Sequence, residues 1–381
     1  MSNKSFFLSV VVCVFIMIFA SGCKDSDQVT AMADRIDTLQ TEIKKLSERL
    51  GERPGEVTRV QEEVAALPGL SISGEVRQSL HFTNKDLEKL STIPTRLNGV
   101  SRSGHYSGAF YFHGPSLKSL LEFAGIEKKG SDFNKDLDLA IVVRDKAGKE
   151  IVLSWGEIFY RNPGDIIVAV KAEPIRPHHE RNRIPRAYWP WLDQLDREVG
   201  FPKLVVANDF YSDRSLEEIQ SIEVVDLHPD VHREKQKVLF SPTFSISGSV
   251  ANPVEMSVLP DVNRTDILFK VVGDGQGYHG LKSFGGVPLT DLLKQAGIQG
   301  DLDTAVIVSS PDGYRTTLSY GELFLSKFGK NTLIGDTMAR KPVTARGKFF
   351  LLIPDDLSAD RSVKAIQEIR VVNLKQAKYQ Q

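Results

Sequence analysis

One module occurs twice in this chain, and that repetition limits the fold more than any other feature. Ser71-Ile72-Ser73-Gly74 recurs as Ser245-Ile246-Ser247-Gly248. Gly114-Pro115-Ser116-Leu117, with Leu120-Leu121 and Ala124-Gly125-Ile126, recurs as Gly286-Val287-Pro288-Leu289, Leu292-Leu293 and Ala296-Gly297-Ile298. Leu153-Ser154-Trp155-Gly156-Glu157-Ile158-Phe159 recurs as Leu318-Ser319-Tyr320-Gly321-Glu322-Leu323-Phe324. Arg214-Ser215 with Ile219, Ile222 and Val224 recurs as Arg361-Ser362 with Ile366, Ile369 and Val371. Four blocks in the same order set the domain count at two before any other reading. Each copy is long enough to fold alone, and two copies do not make a solenoid.

The amino terminus stands apart from the repeats. Lys4 precedes an apolar run from Phe6 to Ala20 broken only by Ser9, and Ala20-Ser21-Gly22 then lead to Cys23. This is the layout of an export signal with a small-residue cleavage site. The run is shorter than the ~20 residues that span a bilayer. Ala-Ser-Gly-Cys resembles the lipobox of bacterial lipoproteins, which implies that Cys23 is lipidated and becomes the mature terminus. Lys24, where aspartate would retain a Gram-negative lipoprotein, favours the outer membrane facing the periplasm. An uncleaved anchor, or a signal cut elsewhere, is the plainer alternative. The only other cysteine is Cys13, inside the signal, so the exported chain forms no disulfide pair of its own. Removing 22 of the 381 residues leaves 359, ample for two domains with full cores.

After the signal, Val29, Met32, Ile36, Leu39, Ile43, Leu46 and Leu50 alternate in steps of three and four, an a/d heptad seam. Gly51, Pro54 and Gly55 interrupt it, and Val57, Val60, Val64 and Leu67 resume the register. The expectation is a kinked coiled coil that makes the protein a homo-oligomer through residues 29–67. The alternative is one amphipathic helix packed on its own domain or on lipid; a polar face that is not markedly basic weakens the lipid version.

The expected organisation is therefore a signal (1–22), a lipidated tether and coiled-coil stalk (23–69), a first domain (70–227), a linker (228–243), a second domain (244–374) and a tail (375–381). Within each repeat, β-rich runs frame short helices. Leu139–Arg144 and Glu150–Leu153 flank a turn at Lys146-Ala147-Gly148, and Ala305–Ser309 and Tyr314–Leu318 flank Pro311-Asp312-Gly313. Leu117–Ala124 and Leu289–Ala296 read as helices stopped by Gly125 and Gly297. Further strands are expected at Lys203–Ala207, Lys348–Ile353, Ile219–Asp226 and Ile366–Asn373. The fold class is α+β, with more strand than helix.

These blocks resemble the molybdopterin-binding domain of the sulfite oxidase family. That family shows an Ile-Ser-Gly opening strand, a Gly-Val-Pro-Leu helix, an aspartate-glycine turn between paired strands and a closing Ile-x-x-Ile-x-Val strand. Gly286-Val287-Pro288-Leu289, Asp312-Gly313-Tyr314 and Ile366-Gln367-Glu368-Ile369 match it most closely, and Gly114-Pro115-Ser116-Leu117 follows. The resemblance implies two tandem sulfite-oxidase-like domains over most of 70–374. It also implies a cysteine thiolate on molybdenum before the Gly-Val-Pro-Leu helix. The corresponding stretches, Leu97–Ser103 and Phe269–Gly275, hold no cysteine, and neither does any other part of the domains. Serine or asparagine is a poor substitute for a soft thiolate. The expectation is a relative that has lost the cofactor, with no resident cofactor and no metal ligands.

The first repeat carries sequence that the second lacks. Between Pro174 and Trp191 fall Arg176, Arg181, Arg183, Arg186, His178, His179, Tyr188, Trp189 and Trp191. Guanidinium forks recognise carboxylate or phosphate, and aromatic faces bind rings or act as interaction hot spots. The alternative is a surface loop whose aromatics pack on their own domain. His228 and His232 stand four apart but lack a firm third metal ligand. The glycine-rich stretch Gly273–Gly280 has no Gly-Lys-Ser/Thr and is no P-loop. Tyr278 in it aligns with Tyr106 of the first repeat, so both tyrosines are further candidates. Ser154 and Ser319 lack a nucleophile elbow.

With a net charge of −1 the chain has no basic field for nucleic acid. The leading expectation is a lipid-anchored envelope protein that binds a protein partner or an anionic small molecule. The alternative is an exported molybdopterin-dependent oxidoreductase without cysteine ligation; a third option is a structural spacer.

Overall fold

The computed structural model describes residues 69–229, 231, 238–273 and 277–375. The signal, Cys23, the heptad seam, much of the linker with His232, and the last six residues lie outside the described residues. Among those described, no helix is long and apolar enough to cross a membrane.

The first repeat contains β1 (Leu70–Gly74), β2 (Leu80–Phe82), β3 (Ile93–Val100), β4 (Tyr106–Gly114), β5 (Leu139–Asp145), β6 (Glu150–Ser154), β7 (Ile166–Ala169), β8 (Lys171–Pro174), β9 (Lys203–Val206) and β10 (Ile219–Asp226). The second contains β11 (Phe244–Gly248), β12 (Val254–Met256), β13 (Thr265–Val272), β14 (Tyr278–Pro288), β15 (Thr304–Ser309), β16 (Arg315–Ser319), β17 (Leu333–Met338), β18 (Lys341–Pro342), β19 (Phe350–Leu352) and β20 (Glu368–Asn373). The helices are α1 (Asn84–Glu88), α2 (Leu117–Ala124), α3 (Trp155–Phe159), α4 (Trp189–Asp193), α5 (Leu289–Gln295) and α6 (Tyr320–Phe324). Mixed sheets with short helices make the molecule α+β, as the sequence suggests.

Each repeat builds the same five-stranded sheet, β2-β1-β10-β5-β6 in one and β12-β11-β20-β15-β16 in the other. The opening strand runs parallel to the closing strand in both, with Ile72 beside Ile222 and Ile246 beside Ile369. A second layer follows β3-β4-β8 with β7-β9 in the first repeat, and β13-β14-β17-β18 with β19 on β17 in the second. The helix between the layers is cut off by a glycine in the left-handed region, Gly125 at φ 69° and Gly297 at φ 68°.

The central strands show how the repeats combine. Side chains alternate across a strand, so a strand with one wet face reads apolar-polar. Residues 139–143 of β5 and all of β15 are buried instead. Leu139, Ile141 and Val143 enter the first repeat's core. Ala140 and Val142 face the other way and form a separate cluster with Val152, Ala305 and Leu374. The second face of each sheet is thus covered by the other repeat, and 68–381 forms one compact unit.

The repeats differ in one region. Trp155 to Arg214 spans 59 positions and Tyr320 to Arg361 spans 41, so the first repeat is 18 residues longer there. The extra chain runs after β8 and carries α4.

Candidate functional site

Two sites emerge, one buried between the repeats and one on the insertion. The buried one begins at the helix caps. Ser154 caps α3 by accepting the Glu157 N–H at 3.0 Å, and Ser319 caps α6 by accepting the Glu322 N–H at 2.9 Å. Each hydroxyl then donates to the glutamate of the other repeat, Ser154 Oγ to Glu322 Oε2 and Ser319 Oγ to Glu157 Oε1, both at 2.7 Å. Arg214 reaches Glu157 at 2.8 Å and grips Asp209 with both prongs at 2.7 Å. Arg361 reaches Glu322 at 2.7 Å and grips Asp356 at 2.6 and 2.7 Å. Backbone bonds repeat the pattern: Phe210 N–H to Leu325 O at 2.9 Å, Leu357 N–H to Tyr160 O at 2.8 Å. The same residues meet from both sides, the self-complementary contact of a two-fold dimer, here within one chain.

The symmetry is broken at one position. Arg161 donates to Glu322 at 2.9 Å, and its counterpart in the second repeat is Ser326. Three guanidinium groups therefore meet four carboxyls. Burial pushes the Glu157 carboxyl up, Arg214 opposes that, and the Glu322 charge adds to the rise. Burial acts on Glu322 as well, but Arg361 and Arg161 outweigh it and hold that carboxyl down. The pair is split, with Glu322 held below the ordinary carboxyl range and Glu157 pushed above it. The repeated Ser-x-Gly-Glu and Arg-Ser blocks were legible in the sequence; their mutual contact was not.

More ion pairs ring this interface. Buried Arg315 reaches across to Asp138 at 2.8 Å, and Arg102 bridges Asp213 and Asp301. The turn between β3 and β4, where the family resemblance would put a thiolate, thus docks the first repeat onto the second through Arg102. No cysteine lies beyond residue 23, and no cluster of three His, Cys or acidic side chains fit to hold a metal occurs among the described residues. A donor set without a thiolate does not suit a molybdenum centre of that family.

The insertion brings most of the sequence candidates together. Arg176, His178, His179 and Arg181 line a cleft of about 310 Å³ with Ile184, Leu192 and Asp196. The Trp189 ring lies under two guanidinium groups, Arg181 at 4.9 Å and Arg186 at 5.4 Å, and its indole N–H donates to Ile184 O at 3.1 Å. Trp191 stands edge-on to Tyr106, with ring centroids 6.2 Å apart. Tyr188 and Trp191 stay 58% and 52% exposed. An extended run would put Trp189 and Trp191 on opposite sides. The segment is instead helix α4, where two steps of 100° separate them almost as far.

Counting only to Trp191, the insertion has a single acid, Glu180. Two acids just beyond it reach back: Asp196 pairs with Arg176 at 2.5 Å and Asp193 with Arg181 at 2.6 Å. Arg183 and Arg186 form no ion pair among the described residues, so they carry the positive potential. Tyr278 is not part of this site; it opens β14 in the second repeat. His228 is exposed at the end of the first repeat, 3.7 Å from Asp226.

No family model matches this chain, and neither does any curated protein sequence. Among solved structures it is similar to the sulfane dehydrogenase SoxCD from Paracoccus pantotrophus, at 13% identity and a TM-score of 0.29. That alignment covers 66% of this chain and 62% of the SoxCD chain, so this chain spans less than two thirds of that neighbour.

Proposed function

We propose that this chain is a binding protein of the cell envelope that recognises an anionic small molecule or an acidic partner through the first repeat's insertion. The observation that carries the reading is Trp189 with Arg181 and Arg186 over its ring, beside exposed Tyr188 and Trp191. Stacked guanidinium groups are pre-organised, so less freedom is lost when they bind. The lipobox-like Ala-Ser-Gly-Cys supports anchoring through Cys23, and the heptads support assembly through residues 29–67.

The test is calorimetric titration of the full chain with inorganic phosphate, sulfate and benzoate. Arg183→Ala with Arg186→Ala should weaken whichever anion binds by about tenfold, or ~1.4 kcal/mol, and leave thermal melting unchanged because both side chains are exposed. Failure of every anion to bind the wild-type protein, or a much lower melting temperature in the variant, sinks the reading. The alternative, an exported molybdopterin-dependent oxidoreductase, is favoured by the Gly286-Val287-Pro288-Leu289 block and opposed by the missing thiolate.

A further inference from the structure

The insertion also closes a sheet edge. Beyond β8, Ile175 N–H donates to Ala109 O at 2.8 Å and Arg197 Nε to Ser107 O at 2.7 Å. Gln194 O lies so close to Gly108 that a Cβ there would sit 2.7 Å away. The free side of β4 is covered by the chain's own continuation.

Among the described residues, the second repeat has the same strand without the cover. Pairing of β14 with β17 ends at Phe284 beside Met338, and one more bond runs from Ala339 N–H to Ser283 O at 2.9 Å. The chain then turns into β18. Strand carbonyls alternate sides, so Leu281 O faces the same way as Ser283 O, and the match with Ala109 and Ser107 places His279 O there too. From Tyr278 to Lys282, β14 pairs only with β13 among the described residues. A Cβ built on Gly280 meets nothing within 4 Å, where Gly108 meets the insertion.

The side chains around this edge have a definite chemistry. Leu268 and Leu281 are diagonal neighbours on the outer face of the β13–β14 pair, 64% and 55% exposed. Tyr278 is 66% exposed at the strand's start. Lys270 stands opposite Leu281, Lys282 is next along, and Arg340 and Lys341 lie in the turn and strand that follow Met338. None of these four cations forms an ion pair among the described residues. Four such charges repel an identical edge and attract a negative one.

We propose that the overhanging edge of β14 accepts an extended segment of a partner protein, acidic at alternate positions and apolar between them, as an added antiparallel strand. Backbone bonds to Leu281 and His279 would supply affinity, and Leu268, Leu281 and the lysines would choose the sequence. The first repeat shows the geometry of such a cover, since β8 and Ile175 lie antiparallel on β4.

The probe is a fluorescein-labelled, end-blocked decapeptide of alternating glutamate and valine, titrated by anisotropy into the full chain in detergent. It should bind at least about tenfold more tightly than the lysine–valine counterpart. Leu281→Pro removes the N–H that faces the edge, and Lys270→Glu with Lys341→Glu reverses charge without touching the backbone; each should weaken binding at least about tenfold. Should Leu281→Pro also lower the melting temperature, the lysine double variant decides. Arg183→Ala with Arg186→Ala should leave peptide binding unchanged, which separates this edge from the insertion site. Equal affinity for both peptides, or wild-type affinity in the lysine double variant, overturns the proposal. So does self-association of the full chain that Leu281→Pro abolishes, because the edge would then belong to a second copy.

Discussion

Gly156 and Gly321 show how closely the repeats fit. A Cβ on Gly156 would lie 2.1 Å from Arg361 Cδ, and one on Gly321 2.2 Å from Arg214 Cδ. Both glycines are helical, where alanine would ordinarily stabilise. Here the arginine stems are buried and cannot move aside. Gly156→Ala should cost about 1–3 kcal/mol in chemical denaturation, the usual range for overpacking; unchanged or raised stability would mean that the interface is loose. The glutamates give a sharper contrast. Glu322→Gln removes a carboxylate that serves two guanidinium groups and should cost roughly 3–5 kcal/mol at neutral pH. Glu157→Gln removes a carboxyl that serves one guanidinium group, Arg214, and should cost less. The two also act oppositely on acid stability. The Glu322 contribution is complete above its ordinary value of 4.5 and is lost as pH falls toward about 2. Glu157 is raised, so its ionisation costs stability as pH climbs above 4.5. Glu322→Gln should therefore flatten the acid limb of the stability curve, and an unchanged limb would contradict the assignment.

At the scale of elements, the two helices ended by glycine, both hairpins and the closing strands were legible, because turn residues and period-two patterns are local signals. The run Leu139–Val143 also carried its message, since a strand apolar at every position must be covered on both faces. What covers it could not be read, because the second face meets residues more than 150 positions away, such as Ala305. The insertion was found by composition, but the acids that pair with it lie outside that window. Asp193 and Asp196 lie just past the arginine-rich window and neutralise half of its guanidinium groups. Trp189 was the candidate with the most structural role. Trp189→Ala should free the insertion and speed trypsin cleavage after Arg181, Arg183 and Arg186, while the main thermal transition stays in place. Cleavage no faster than in wild type would mean that the tryptophan does not hold the segment.

For the whole molecule, the sequence gives away the count of repeats but not their arrangement. A self-complementary surface reads as an ordinary repeated core block until both copies are placed face to face. The stalk belongs to this scale too. If residues 29–67 assemble the protein, the full chain should scatter light as a species larger than a monomer, and deleting 25–67 should return it to monomer. A monomeric full chain would remove assembly from the account. The central claim is that the tandem repeats serve recognition and hold no redox metal. The most direct measurement is molybdenum content by mass spectrometry on protein purified from its native host. The absence of any thiolate in either repeat predicts no stoichiometric molybdenum; one molybdenum per chain would contradict the claim and establish the oxidoreductase reading in its place.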